Sequence, residues 1–265
     1  MRSLMGGATA IFALAACSSV QGQVHSAGDH AESETLAQAA ARYDLGRPYL
    51  GGPLPGGEQL IRPQPQGEDP RLLNDLVANE EALAIRDSPR WELAARDADL
   101  GSGWYHRAFA GAAGRPLDAD SAPAIANVLR RSATDFGMST GAVKEQYQRR
   151  RPFMINDKPS CTPHDEAILE DNGSYPSGHS AIGYGTSLVL ASIFPERAAQ
   201  LLQRGRDFGD SRWICNVHWK SDVEEGRSFA AATYARLQTD AGFLADLAVA
   251  RAEVQSATQT EEADD

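Results

Sequence analysis

One segment constrains the fold more than any other. Residues 181–194 are apolar nearly all round, with Ile182, Leu188, Val189, Leu190 and Ile193, and Pro195 closes the run. A helix without a polar face belongs at the centre of a protein, so the other helices must surround it. Leu72, Leu73, Leu76, Val77, Leu83 and Ala84 fall at spacings of three, four and seven, which predicts an amphipathic helix. Residues 91–100 predict a second helix with Pro89 near its start. Residues 121–136 predict a third and residues 139–150 a fourth, which Pro152 stops by disfavouring helical geometry at Arg151. Residues 197–208 and 221–237 are further amphipathic candidates, the latter with Ser221 as N-cap and Glu224 completing a capping box. Strand-like alternation is scarce, and no boundary divides the middle of the chain. The expected fold is all-α, a single-domain helical bundle.

The two ends read differently. An apolar stretch follows Arg2 over residues 5–16; it is shorter than the roughly 20 residues a membrane helix needs and suits a signal peptide. It ends in Leu14-Ala15-Ala16-Cys17, which resembles the lipobox of bacterial lipoproteins. The resemblance implies a lipoprotein-type signal over residues 1–16, cleavage before Cys17, and a lipid anchor on that thiol. The alternative is ordinary cleavage at Ala13-Leu14-Ala15 and release. Residues 17–69 read as a tether and an irregular segment, in which Gly51, Gly52, Pro53, Pro55, Gly56 and Gly57 exclude a regular element. Residues 70–250 then form the folded domain. Residues 251–265, with Glu261, Glu262, Asp264 and Asp265, read as a solvated, disordered acidic tail.

Charge narrows the partners. The chain carries 25 Lys+Arg against 36 Asp+Glu, a formal net charge of -11. That balance gives no long-range attraction to nucleic acid or to anionic lipid. An anionic ligand would need a local cationic pocket. In an oxidising compartment, with Cys17 lipidated, Cys161 and Cys215 remain as an expected disulfide pair; two buried free thiols are the alternative.

Three blocks carry candidate chemistry. The first is Lys144, six intervening residues, then Arg151-Pro152. The second is Gly173-Ser174-Tyr175-Pro176-Ser177-Gly178-His179. The third is Ser211-Arg212, five residues, His218, three residues, Asp222. Together they resemble the signature of the type 2 phosphatidic acid phosphatase superfamily, which includes bacterial class A acid phosphatases and vanadium haloperoxidases. The second block is similar to the narrower class A signature, with Ser180 where Thr is usual. Leu73-Asn74-Asp75 and residues 95–100 and 212–219 also look like class A segments. The resemblance covers residues 70–250, the expected catalytic domain.

The resemblance implies an exported, periplasmic acid phosphatase of broad specificity toward phosphate monoesters, acting through a phosphohistidine without metal or other cofactor. Members of the class are commonly oligomeric, which brings a homodimer into view. The residues support the chemistry independently. A phosphomonoester dianion needs charge neutralisation, a nucleophile and a proton for its leaving oxygen. Lys144 offers a point charge and Arg151 and Arg212 offer planar forks. Lys144 and Arg151 are seven apart, two turns if one helix holds both. Ser177 and Gly178 precede the apolar helix, so their N–H groups would meet an anion at its positive end, with Ser177 also as its cap. His218 is the candidate nucleophile, Asp222 its orienting carboxylate, and His179 the general acid, then base. His25, His30, His106 and His164 read as ordinary residues, Arg149 and Arg150 as solvating a helix end, Trp213 and Trp219 as packing, and Tyr175 as shaping the pocket mouth. Two competing activities remain, a vanadium-dependent haloperoxidase and a tethered phosphatase of lipid headgroups.

Overall fold

Several helix starts along this chain are marked by side-chain caps. In the computed structural model, residues 43–52 and 56–264 are described, with side chains to residue 256; Cys17, the signal segment and most of the expected tether lie outside them. Asp69 accepts the Arg71 N–H at the head of Pro70–Ala84, and Ser88 accepts the Trp91 N–H at the head of Pro89–Asp97. In both helices a proline occupies the first position, where its missing N–H costs nothing. Numbered in chain order, the helices are α1 (Gly57–Leu60), α2 (Pro70–Ala84), α3 (Pro89–Asp97), α4 (Trp104–Ala113), α5 (Pro123–Met138), α6 (Gly141–Tyr147), α7 (Phe153–Asn156), α8 (Glu166–Glu170), α9 (Gly178–Ile193), α10 (Ala198–Ile214), α11 (Lys220–Leu237) and α12 (Ala241–Asp264). No strand occurs among the described residues, so the fold is all-α, and these residues belong to one compact unit.

The apolar helix is central. α9 packs against α10, α11 and α5, with α12 laid on α5, and α3 and α4 on α10. Phe136, Val189, Leu190, Leu201, Phe208 and Phe243 are fully or almost fully buried. The rings of Phe109 and Phe208 stack at 5.9 Å. Each such aromatic contributes about 1.5–3 kcal/mol by leaving water.

Several local expectations are overturned, each for a visible reason. α1 is a short helix inside the breaker-rich segment, entered through Gly56 in the left-handed conformation that glycine allows. α2 forms where the spacing predicts, but Leu73, Leu76 and Val77 stay exposed while Asp75, Ala78, Asn79 and Ala82 are buried. Asp75 accepts the Ser221 N–H and Asn79 donates to Asn216 Oδ1, both within the third block, and these bonds draw that face inward. α6 ends at Tyr147, because Gln148 turns left-handed, so Lys144 and Arg151 do not share a helix. α10 runs on to Ile214 and carries Arg212 on its last turn. α11 is capped from Trp219, whose N–H is accepted by Asp222 Oδ2 at 2.8 Å; Ser221 is instead bound to Asp75. The expected disordered tail is helical through Asp264. Phe243, Leu247 and Ala250 bury one face of α12 just ahead of it, and Glu253 accepts the N–H groups of Ala124 and Ile125 at 2.9 and 3.1 Å. That carboxylate supplies the cap α5 lacks at its positive end.

Candidate active site

The site forms where the ends of α6, α9, α10 and α11 meet. Gly173 makes the first junction possible, since a Cβ there would lie 2.7 Å from Lys144 O and 3.0 Å from Gln148 Cα. Ser177 makes the second. Its Oγ accepts the Ser180 N–H at 3.2 Å as the cap of α9, and its N–H donates to Asp222 O at 2.9 Å. The sequence placed the Ser177 N–H at the disposal of an anion; Asp222 O takes it instead, leaving Gly178 at the head of α9. Ser177 Oγ also accepts from Ser180 Oγ at 2.8 Å, so its own proton remains to be donated. Lys144 Cε approaches to 3.8 Å of a Cβ placed on Gly178, and Lys144 Nζ donates to Gly173 O at 2.6 Å.

The two histidines occupy different settings. His218, 3% exposed, has Nδ1 3.3 Å from Asp222 Oδ2 and Nε2 3.1 Å from Arg151 Nη1. Because arginine can only donate, Nε2 bears the lone pair and Nδ1 the hydrogen shared with Asp222. Burial, Arg151, Lys144 and Arg212 push His218 well below the usual imidazole range. His179 lies in the first turn of α9 with Nε2 3.2 Å from Ala98 O. Burial, then Arg212, His218 and Arg151, hold it down as well, against the Ala98 hydrogen bond.

Three cations crowd these rings. Arg151, 2% exposed, donates from Nε to Leu169 O and Asn172 O at 2.8 and 3.1 Å and from Nη1 to Val217 O at 2.9 Å. Burial and Arg212 lower its pKa to about 9. Burial lowers Arg212 to about 10 and, with Arg151 beside it, takes Lys144 well below its ordinary value. Arg212 is equally buried, yet its Nε and Nη1 have no protein acceptor. Buried donors without partners cost about 1–3 kcal/mol each, more when charged, and crowded like charges add to that. An anion bound between the guanidinium groups would relieve both.

A small cavity opens beside His179 and Arg212, walled by Tyr43, Ala98, Asp165, Ile168 and Leu169. Cys161 and Cys215 are joined in a disulfide that ties the chain after Arg151 to the third block. All eight candidate catalytic and phosphate-binding positions thus converge. The sequence assigns no role in the site to Tyr43, which arrives from the stretch read as tether, or to Asp165. Arg149 was read as solvating a helix end, but it is buried in ion pairs with Asp75 and Asp222. Tyr175 was placed at the pocket mouth; it is fully buried, with its hydroxyl on Arg62 O. Two segments flanking the blocks find a purpose as well. Asp75 binds Ser221, and Asp97 accepts from Ser211 Oγ at 2.6 Å and from Arg204.

Comparison with known proteins shows the family. Residues 126–239 match the family profile described as the PAP2 superfamily. The non-specific acid phosphatase of Salmonella typhimurium is 42% identical over 195 residues, 73% of this chain and 78% of that protein. The acid phosphatase of Zymomonas mobilis is 39% identical over 197 residues, 74% and 75% respectively. The non-specific acid phosphatase of Providencia stuartii is 40% identical over 195 residues, 73% and 79%.

Proposed function

This chain belongs to the PAP2 superfamily as an acid phosphatase, and from that premise we propose that it hydrolyses phosphate monoesters through a phosphohistidine at His218. The observation that carries the reading is the paired guanidinium cup, Arg151 touching His218 Nε2 and Arg212 beside it with two buried nitrogens unmatched. The substrate phosphoryl group lies between these forks, with Lys144, the Ser177 hydroxyl and the Gly178 N–H completing the cradle. Preformed donors of this kind stabilise charge as it spreads over the equatorial oxygens.

In the first step His218 Nε2 attacks phosphorus, the N–P bond forms and the P–O bond to the leaving group breaks. Asp222 holds the Nδ1 hydrogen and stabilises the ring as it becomes cationic. The leaving oxygen takes a proton from His179. With Nε2–H of His179 on Ala98 O, Nδ1 is the nitrogen that exchanges it. In the second step His179 accepts a proton from water, the water oxygen attacks phosphorus, and the N–P bond breaks to release inorganic phosphate. Lys144, Arg151 and Arg212 supply the positive charge that a metal supplies elsewhere.

Broad specificity toward aryl, nucleotide and sugar phosphates, export to the periplasm, a lipid anchor on Cys17 and a homodimeric state belong to the same proposal. They are supported by the class A resemblance and by the residues around Cys17. No described helix is long and apolar enough to cross a membrane. A phosphomonoester panel with EDTA and vanadate tests the reading, alongside His218→Ala. Activity should survive EDTA, fall with vanadate, and disappear in H218A, with an acid-labile phosphoenzyme trapped only in the parent. Full-rate hydrolysis by H218A would overturn the mechanism, and bromide oxidation by vanadate and peroxide exceeding phosphatase turnover would move the protein to the haloperoxidases.

A further inference from the structure

Arg149 is one of the six intervening residues of the first block, two before Arg151, and it touches both of the other blocks. Its backbone C=O accepts the Ser174 N–H at 2.8 Å. Its Nη1 donates to Asp222 Oδ1 at 2.6 Å and to Ser221 Oγ at 2.8 Å, while Nη2 donates to Asp75 Oδ2 at 2.8 Å. Asp75 accepts in addition from the N–H and the hydroxyl of Ser221, both at 2.7 Å. The rings of Trp219 and Tyr175 lie 5.4 and 5.9 Å from the guanidinium carbon. The Asp75 and Asp222 side chains have no exposure and that of Arg149 only 8%.

We propose that Arg149, braced by Asp75, is a positioning residue that fixes the carboxylate of Asp222 and through it the ring of His218. The proposal rests on His218 as the nucleophile. Asp222 Oδ2 serves two groups at once, the Trp219 N–H at 2.8 Å and His218 Nδ1 at 3.3 Å. One oxygen meets both only if the carboxylate does not rotate, and the bond from Arg149 Nη1 to Oδ1 opposes that rotation. A guanidinium can bind two carboxylates along its planar edges; an ammonium in the same place is a single point of charge. A buried ion pair is weak evidence for stability, because desolvation offsets the attraction. The service of this network to one catalytic oxygen is better explained by orientation.

The test uses Arg149→Lys, Arg149→Met and Asp75→Asn in the full chain, with p-nitrophenyl phosphate as substrate and vanadate as the probe of the phosphate cradle. Loss of an orienting partner behind a reactive group costs on the order of 10–100-fold, so kcat should fall by that factor while KM and vanadate affinity stay within about threefold. R149K should recover only part of the loss. The ¹⁵N shifts of the His218 ring should move from a single Nδ1–H tautomer toward a mixture. Unchanged kcat in a folded variant would overturn the proposal, and so would a His218 ring still wholly in the Nδ1–H form. Where R149M does not fold, R149K carries the same measurements. If H218A keeps its activity, the nucleophile assignment has failed; the tautomer measurement still judges the role of Arg149 separately.

Discussion

Low dielectric and crowded cations set the proton inventory of the site. Burial, reinforced by Arg151, Lys144 and Arg212, disfavours the charged form of His218, and burial with Arg212 does the same for His179. A phosphomonoester exchanges its second proton near pH 6. The proton for the leaving oxygen must then arrive on the substrate monoanion, or be drawn onto His179 by the dianion. Both routes need a complex that holds one extra proton, so kcat/KM should fall about tenfold per pH unit above roughly pH 6. A profile flat from about pH 5 to 9 would contradict this. His179→Ala should cost an alkyl phosphate about 10²–10⁴ in kcat/KM, which reports the step up to leaving-group departure, and a nitrophenyl phosphate far less, because nitrophenolate departs without a proton. Equal losses would remove His179 from the acid role. The candidate residues were legible in sequence through the resemblance of the three blocks to a family signature, and their types, forks, imidazoles and a close-approaching glycine, suit a phosphate ligand. Arg149 was not, since a run of three arginines before a proline looks like a solvated helix end. Tyr43 and Asp165 line the cavity beside His179 and Arg212, and neither has a local pattern that announces it. Tyr43 stands in a stretch that reads as tether, and the acidic loop around Asp165 gives no sign that it folds beside Arg212.

At the scale of elements, the site depends on how closely α9 and α11 approach. A Cβ on Gly226 would lie 2.5 Å from Ser177 O and 2.9 Å from Ser180 Cβ. The first of these is backbone and cannot swing aside. Gly226→Ala should therefore push the first turn of α11 away from the cap of α9, where Ser177 N–H meets Asp222 O. Overpacking of this kind costs about 1–3 kcal/mol, and activity should drop with it, since the displaced turn carries Asp222. Gly111→Ala is the contrasting case. Nothing lies within 4 Å of a Cβ there, and replacing a helix-interior glycine should stabilise by about 0.5–1 kcal/mol. Urea unfolding and kcat on both variants check the pair; G226A as stable and active as the parent would mean that the two helices are free to separate. Helix positions were largely legible because apolar spacing reports periodicity. Which face turns inward was not legible for α2, where the bonds that Asp75 accepts and Asn79 donates outweigh the exposure of Leu73, Leu76 and Val77. The helical course of residues 251–264 was hidden for a related reason, since Glu253 is held by a partner far away in sequence.

Across the whole molecule, the disulfide joins chain segments that only folding brings together. Cys161 and Cys215 are 54 positions apart, and cross-linking a loop of that length restricts the unfolded chain by about 4 kcal/mol in the loop-entropy account. The native state shows what else the bond holds. Cys161 N–H donates to Cys215 O at 3.1 Å, Ser160 N–H donates to Glu166 at 2.6 Å, and Arg151 Nε binds Leu169 O and Asn172 O. The chain from Cys161 to Asn172 is thus fastened at both ends while Asp165, Ile168 and Leu169 wall the cavity. The paired change Cys161→Ser with Cys215→Ser should lower unfolding free energy by about 2–4 kcal/mol. It should also raise KM more than it lowers kcat, because the wall and Arg151 loosen while His218 and Asp222 keep their own contacts. Urea unfolding and steady-state kinetics, compared with dithiothreitol-treated parent protein, separate the two effects. Lost stability with unchanged KM would make the bond a staple of the fold alone, and no change in either would deny it any role. A chain that needs this bond matures best where thiols are oxidised, so protein made without residues 1–16 in a reducing cytoplasm should match the double serine variant until it is oxidised.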